Sequence, residues 1–163
     1  MRVGVVADTH LRRGWSRTLP ARALAELAEA DVILHAGDLV IPEVLDQLGS
    51  LAPVHAVLGN NDAELVGALE EEVALELEGV RVAMVHDSGP RTGREARLRR
   101  RFPHADVVVF GHSHIPWDAE GVAGQWLLNP GSPTERRRQP HKTVATLDLA
   151  DGRRVGTRIV VVD

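Results

Sequence analysis

The sequence predicts an α/β fold with two mixed β-sheets packed face to face and helices outside. Three observations carry this. Strand-length apolar runs at residues 3–7, 32–35 and 107–110 show no alternation, as expected of strands buried on both faces of a parallel sheet. Helical spacing separates the early runs, and the later chain switches to strict alternation around Gly-centred turns.

The elements follow in order. After the first run, Pro20 sits where a first helical turn tolerates it, and Leu24, Leu27 and Ala28 recur at helical spacing. The run at 32–35, a second helix around 42–51 and a strand at 54–58 complete a βαβαβ half with a parallel sheet. Val73, Leu75 and Leu77 alternate with Glu, Gly79 turns the chain, and Val80, Val82 and Met84 alternate back, which reads as a hairpin. A charged helix over 92–102 precedes the run at 107–110. Two further hairpins are expected, around 121–124 and around 151–152, the second closing with a strand at 160–162.

The length of 163 residues suits one domain, 1–163. No stretch approaches the roughly 20 apolar residues of a membrane-spanning helix, and residues 1–7 lack a signal-peptide core, so a cytoplasmic protein is expected. Cysteine is absent, which removes disulfides, thiolate ligands and Cys nucleophiles and leaves His, Asp, Glu and Asn for any metal site. A net charge of −4 and few aromatic residues provide no broad basic groove or row of stacking rings for nucleic acid. The arginine groups at 97–101 and 136–138 read as solvated faces.

The polar residues that stand out follow the strands directly. Asp8 and His10 follow the first, Asp38 the second, Asn60 and Asp62 the third; His86 ends the hairpin strand, and His112 with His114 follow the run at 107–110. Strand carboxyl ends line the ligand crevice of open α/β sheets, so these residues can converge although far apart in sequence. Pairs at i and i+2 leaving a strand can turn into one cleft and hold metal. Glycine directly precedes Asp38, Asn60 and His112, which suits tight turns or a close approach of backbone.

These blocks, D-T-H at 8–10, G-D at 37–38, G-N-N-D at 59–62, His86 and G-H-S-H at 111–114, resemble the calcineurin-like metallophosphoesterase superfamily. With N-P-G-S at 129–132 and the small size, the likeness is to its compact bacterial and archaeal phosphodiesterase branch. The resemblance implies a four-layer α/β/β/α sandwich. It also implies two divalent metals, one held by Asp8, His10, Asp38 and His114, the other by Asp38, Asn60, His86 and His112, with Asp38 bridging. A hydroxide shared by the metals would attack phosphorus in line, with Asp38, Asn60 and Asp62 as the catalytic set. Manganese is the first choice for a sulfur-free nitrogen and oxygen donor set, with iron, nickel and zinc as alternatives.

Two positions depart from the family pattern. Asn61 stands where many relatives carry a His thought to protonate the leaving group, and an amide is no acid near neutral pH. Asp87 stands where Gly is common. His35 reads either as a residue orienting a ligand or as a core histidine, and Asn129 and Ser132 either as substrate contacts or as a turn. His55, His104 and His141 match no block. Hydrolysis of a small phosphodiester is the leading expectation. A phosphomonoesterase and a non-catalytic scaffold of the same fold are the alternatives, no membrane partner is expected, and a homo-oligomer is left open.

Overall fold

The computed structural model describes residues 1–163. Its first sheet has the order β10-β9-β1-β2-β3, formed by β1 (Arg2–Val6), β2 (Val32–His35), β3 (Val54–Ala56), β9 (Thr143–Ala150) and β10 (Arg153–Val161). The second has the order β4-β5-β6-β8-β7, formed by β4 (Glu72–Leu77), β5 (Val80–Val85), β6 (Val107–Val109), β7 (Trp117–Glu120) and β8 (Trp126–Asn129). Three helices, α1 (Ala21–Ala28), α2 (Glu43–Gly49) and α3 (Arg94–Arg101), complete it. No helix is long and apolar enough to cross a membrane.

Pleat explains how one strand serves two layers. Val3 and Val5 of β1 face the space between the sheets, where they meet Met84, Val107 and Leu128 of the second sheet. Val6 faces outward onto Leu27 of α1 and Leu48 of α2. On the far side Ala83, Val85 and Val108 pack against Leu98 of α3. The layers therefore run helices, sheet, sheet, helix, the four-layer sandwich expected.

β1, β2 and β3 pair in parallel, and both sheets are mixed. The strand expected to reach residue 58 stops at Ala56, because Leu58 N donates across to Glu70 O at 2.8 Å. The hairpin β9–β10 joins the first sheet beside β1, pairing Val3 with Leu147. The expectation of solvated arginines holds only in part. Arg97 Nε donates to Ser88 O at 2.8 Å, tying α3 to the loop after β5.

Candidate metal centre

Five loops leave the carboxyl ends of β1, β2, β3, β5 and β6 and meet. Asp8 N donates to Gly37 O at 2.9 Å, His10 N to Asp38 O at 3.0 Å, and Gly111 N to His86 O at 3.0 Å, so the loops are laced by their own backbones. Asp8, His10, Asp38, His112 and His114 all adopt positive φ, between 45° and 67°. Such a conformation is uncommon for residues with a Cβ and clusters where function over-determines the backbone. The glycines ahead of the ligands serve different needs. Gly37 has φ 87°, whereas a Cβ on Gly59 would stand 2.2 Å from Asp38 N.

Two clusters of donor atoms result, Asp8 with His10 and His114, and Asp8 with Asp38 and His86. His10 Nε2 lies 3.2 Å from His114 Nε2 and 3.3 Å from Asp38 Oδ2; His86 Nε2 lies 3.4 Å from that same oxygen. Asp38 Oδ2 thus stands between the two groups. Asn60 Oδ1 reaches His86 Nε2 at 3.1 Å and His112 Nδ1 at 3.0 Å. Asp8, His10, Asp38, His86 and His114 are buried, while Asn60 and His112 are exposed. The structure brings all seven expected ligands together, closed on one side and open on the other. The open side faces a cleft of about 680 Å³ whose wall adds Val66, Glu71, Asp87 and Arg101.

The ring orientations are fixed from behind. His86 Nδ1 donates to Ala36 O at 2.7 Å and His114 Nδ1 donates to Glu135 O at 2.7 Å, which leaves each Nε2 lone pair pointing inward, the tautomer a metal requires. Asp8 is fully buried and neither carboxylate oxygen has a hydrogen-bond donor. A buried, unpartnered carboxylate among imidazole lone pairs costs several kcal/mol unless a cation meets it. The residues present therefore fit divalent cations.

Burial opposes ionisation of Asp38, yet hydrogen bonds and charge from His86, with the two bonds from Asn61, hold its carboxyl well below the usual range. His86 is raised above the ordinary histidine value, burial being outweighed by its contact with Asp38. Burial lowers His114. His35 is pushed down to about 3 by complete burial and by His86; its Nε2 lies 3.2 Å from Thr9 Oγ1 and its Nδ1 has no partner. His35 is thus a neutral, buried histidine behind the loop that carries Asp8 and His10.

Asp62 is 1% exposed, and its carboxylate accepts from Asp38 N, Gly59 N and Val40 N at 2.9, 2.7 and 2.6 Å. Both its oxygens are engaged by backbone. Asn61 N and Nδ2 donate to the two oxygens of Asp38 at 2.9 and 2.7 Å. Asp87 turns back on its own loop, accepting from Gly89 N at 2.7 Å. The N-P-G-S segment grips backbone: Asn129 Nδ2 donates to Gly111 O at 2.9 Å and Ser132 Oγ to Asp8 O at 2.7 Å. Sequence reasoning misses Thr134, whose hydroxyl donates to Thr9 O at 2.7 Å, and Glu135, whose carbonyl holds His114. Their position just after N-P-G-S is the one signal that points to them.

The chain is similar in sequence and in fold to known proteins. A probable metallophosphoesterase of Methanothermobacter thermautotrophicus is 37% identical over 139 residues, covering 84% of this chain and 80% of the relative. One from Methanocaldococcus jannaschii is 36% identical over 158 residues, covering 93% and 77%. Among solved structures, Entamoeba histolytica Vps29 complexed with zinc superposes with a TM-score of 0.77 at 25% identity over 100% of both chains. An archaeal phosphodiesterase shares the fold, with a TM-score of 0.77 at 21% identity over 99% of each chain. The family model of the calcineurin-like phosphoesterase superfamily domain matches residues 1–152, and the chain belongs to that superfamily.

Proposed function

We propose that this protein is a phosphodiesterase that uses two divalent metals, manganese in the first instance, at the site above. The buried Asp8 carboxylate without a donor, facing inward-pointing Nε2 atoms, is the observation that carries the reading. Asp8, His10, Asp38 and His114 would hold one ion; Asp38, Asn60, His86 and His112 would hold the other. Bound there, the two ions would activate water near neutral pH and would neutralise charge developing on the phosphoryl oxygens.

The chain's own residues do the rest. Asp38 places one carboxylate oxygen toward both clusters, and Asn61 fixes that carboxylate through its amide and its backbone N–H. Asp62 sets the spacing of the loops after β2 and β3, a positioning task. The exposed Asn60 and His112 leave the substrate side open to the cleft. Asn61 has no proton to give, so the departing alcohol takes its proton from solvent. That favours esters whose leaving group needs little help. A diester also brings one negative charge rather than two against a wall that carries Glu71 and Asp87, where the cation Arg101 is already paired with Glu72.

The test is a comparison of bis(p-nitrophenyl) phosphate with p-nitrophenyl phosphate on manganese-loaded protein, against chelator-treated protein. The reading requires metal-dependent turnover and a preference for the diester, which brings one negative charge rather than two to the cleft; the two esters share their leaving group, so a missing general acid does not bias the comparison. A preference for the monoester would replace the substrate class. No metal-dependent turnover of either ester would favour the scaffold alternative.

A further inference from the structure

Residues 11–19 follow His10 directly and lead into α1. Trp15 within them is 55% exposed, and two guanidiniums lie near its ring, Arg12 at 5.2 Å and Arg17 at 5.5 Å from the centroid. A single exposed aromatic residue is ordinary on a protein surface. What sets this one apart is how firmly its segment is tied. Arg13 pairs with Glu43 at the start of α2 and, through Nη1, with both oxygens of Glu64 at 2.9 and 3.0 Å. Arg17 pairs with Glu135, and Trp15 N closes a turn onto Arg12 O at 3.2 Å.

The Arg17 tie leads to the metal centre, because the Glu135 carbonyl accepts the Nδ1 proton of His114. From His114 to the indole is three contacts: Glu135, Arg17, Trp15. Arg12, by contrast, has no carboxylate partner and stands exposed over the ring as a free cation. An exposed indole with two guanidiniums beside it, in the segment that directly follows His10, has the chemistry of a base-stacking surface. Stacking on aromatic rings, with cation–π support from arginine, is how proteins hold nucleobases without reading sequence.

We infer that Trp15, with Arg12 and Arg17, is a platform for the nucleobase of a mononucleoside phosphodiester whose phosphorus lies at the metal centre. The inference rests on the hydrolytic reading above and names its substrate class. One ring accommodates one base, and a net charge of −4 disfavours a strand, so the ligand is a nucleotide ester rather than nucleic acid.

The experiment uses two esters with the same leaving group, the p-nitrophenyl ester of thymidine 5′-monophosphate and methyl p-nitrophenyl phosphate, on the manganese-loaded full chain. In each, water adds to phosphorus, the P–O bond to the aryl group breaks and p-nitrophenolate is released. The ratio of their kcat/KM values reads the nucleoside arm alone. Trp15→Ala should lower that ratio about 5- to 100-fold, the range of single base–aromatic stacks, and Trp15→Phe should keep most of it. Thymidine 5′-monophosphate should also quench a fluorescence component that Trp15→Phe lacks. An equal ratio in wild type and Trp15→Ala overturns the platform while leaving hydrolysis intact. Quenching without turnover of either ester sustains the platform and overturns the hydrolytic reading instead.

Discussion

The Nε2 atoms of His10 and His114 stand 3.2 Å apart, with Asp8 Oδ1 at 3.8 Å from the first and 3.4 Å from the second. His114 already spends its Nδ1 proton on Glu135, so its lone pair faces another imidazole and a carboxylate that no donor satisfies. Without a cation this arrangement is costly. The Asp8→Asn variant should therefore be at least as stable as wild type in chelator. It should also lose the metal-induced stabilisation of the wild type, about 2.7 kcal/mol when free metal is a hundredfold above Kd. Thermal unfolding of both proteins with and without manganese checks this, and an Asp8→Asn protein that gains as much from metal as wild type would remove Asp8 from the ligand set.

Asp62 predicts a large effect of a different kind. Its carboxylate accepts three backbone N–H groups from two loops, and truncation leaves them without their acceptor. Asp62→Ala should cost about 3 kcal/mol or more in the metal-free protein, since single bonds to a charged group are worth about 1.5–3 kcal/mol. Asp62→Asn should cost less. Urea denaturation separates the two, and an unaltered Asp62→Ala protein would contradict the positioning role.

Ser132 makes a milder case. Its hydroxyl donates to Asp8 O and accepts from Glu135 N at 2.9 Å, so it links the loop carrying one ligand to the carbonyl that orients another. Ser132→Ala should cost about 1–3 kcal/mol through the buried groups left unpaired. It should also weaken metal affinity about 10-fold or more, as losses of supporting bonds to metal ligands do. Calorimetric metal titration of the variant is the measurement, and unchanged affinity would mean that the segment only shapes the turn.

His35 carries a pH signature. Burial holds it neutral in the folded protein down to about 3, whereas the unfolded chain takes the proton near 6.5. The folded value is depressed, so below 6.5 protons bind the unfolded state preferentially and stability falls as pH falls. His35→Gln removes this term and leaves the others in place. The stability difference between wild type and His35→Gln should therefore shift against wild type by about 2.7 kcal/mol between pH 7.5 and 4.5. Parallel stability curves over that range would place a charged histidine in the core.

Burial leaves a direct mark on this sequence. Runs such as 3–7 and 32–35 lack alternation because both their faces are covered, one by helices and one by the opposing sheet. The hairpin of Val73, Leu75 and Leu77 alternates because only one face meets the core. The candidate ligands are legible because they fall where those patterns break. What stays hidden depends on distant pairing: nothing near β9 says that it adds to β1, and the hydroxyl of Thr134 meets Thr9 across 125 residues. Asn61 reads in the sequence as a missing acid, and its bond to Asp38 exists only because β2 and β3 lie side by side.

Asn61 also predicts selectivity. Replacement by His puts a titratable ring beside Asp38 and next to Asp62, so Asn61→His should raise rates toward esters of poor leaving groups and change aryl esters little. A general acid typically contributes about 10²–10⁴-fold, which sets the ceiling. A linear free-energy series over alkyl and aryl diesters reads the effect as a shallower dependence on leaving-group pKa. An unchanged slope would mean that position 61 does not face the leaving group.

The most direct test of the central claim is metal stoichiometry paired with turnover, in wild type and in Asp38→Ala. Asp38 Oδ2 lies between His10 and His86, so its loss dismantles both coordination groups at once. The expected result is two equivalents of divalent metal per wild-type chain with metal-dependent hydrolysis of bis(p-nitrophenyl) phosphate, and loss of both in Asp38→Ala. Full hydrolysis by Asp38→Ala, or by wild type stripped of metal, would contradict a two-metal centre built on that carboxylate.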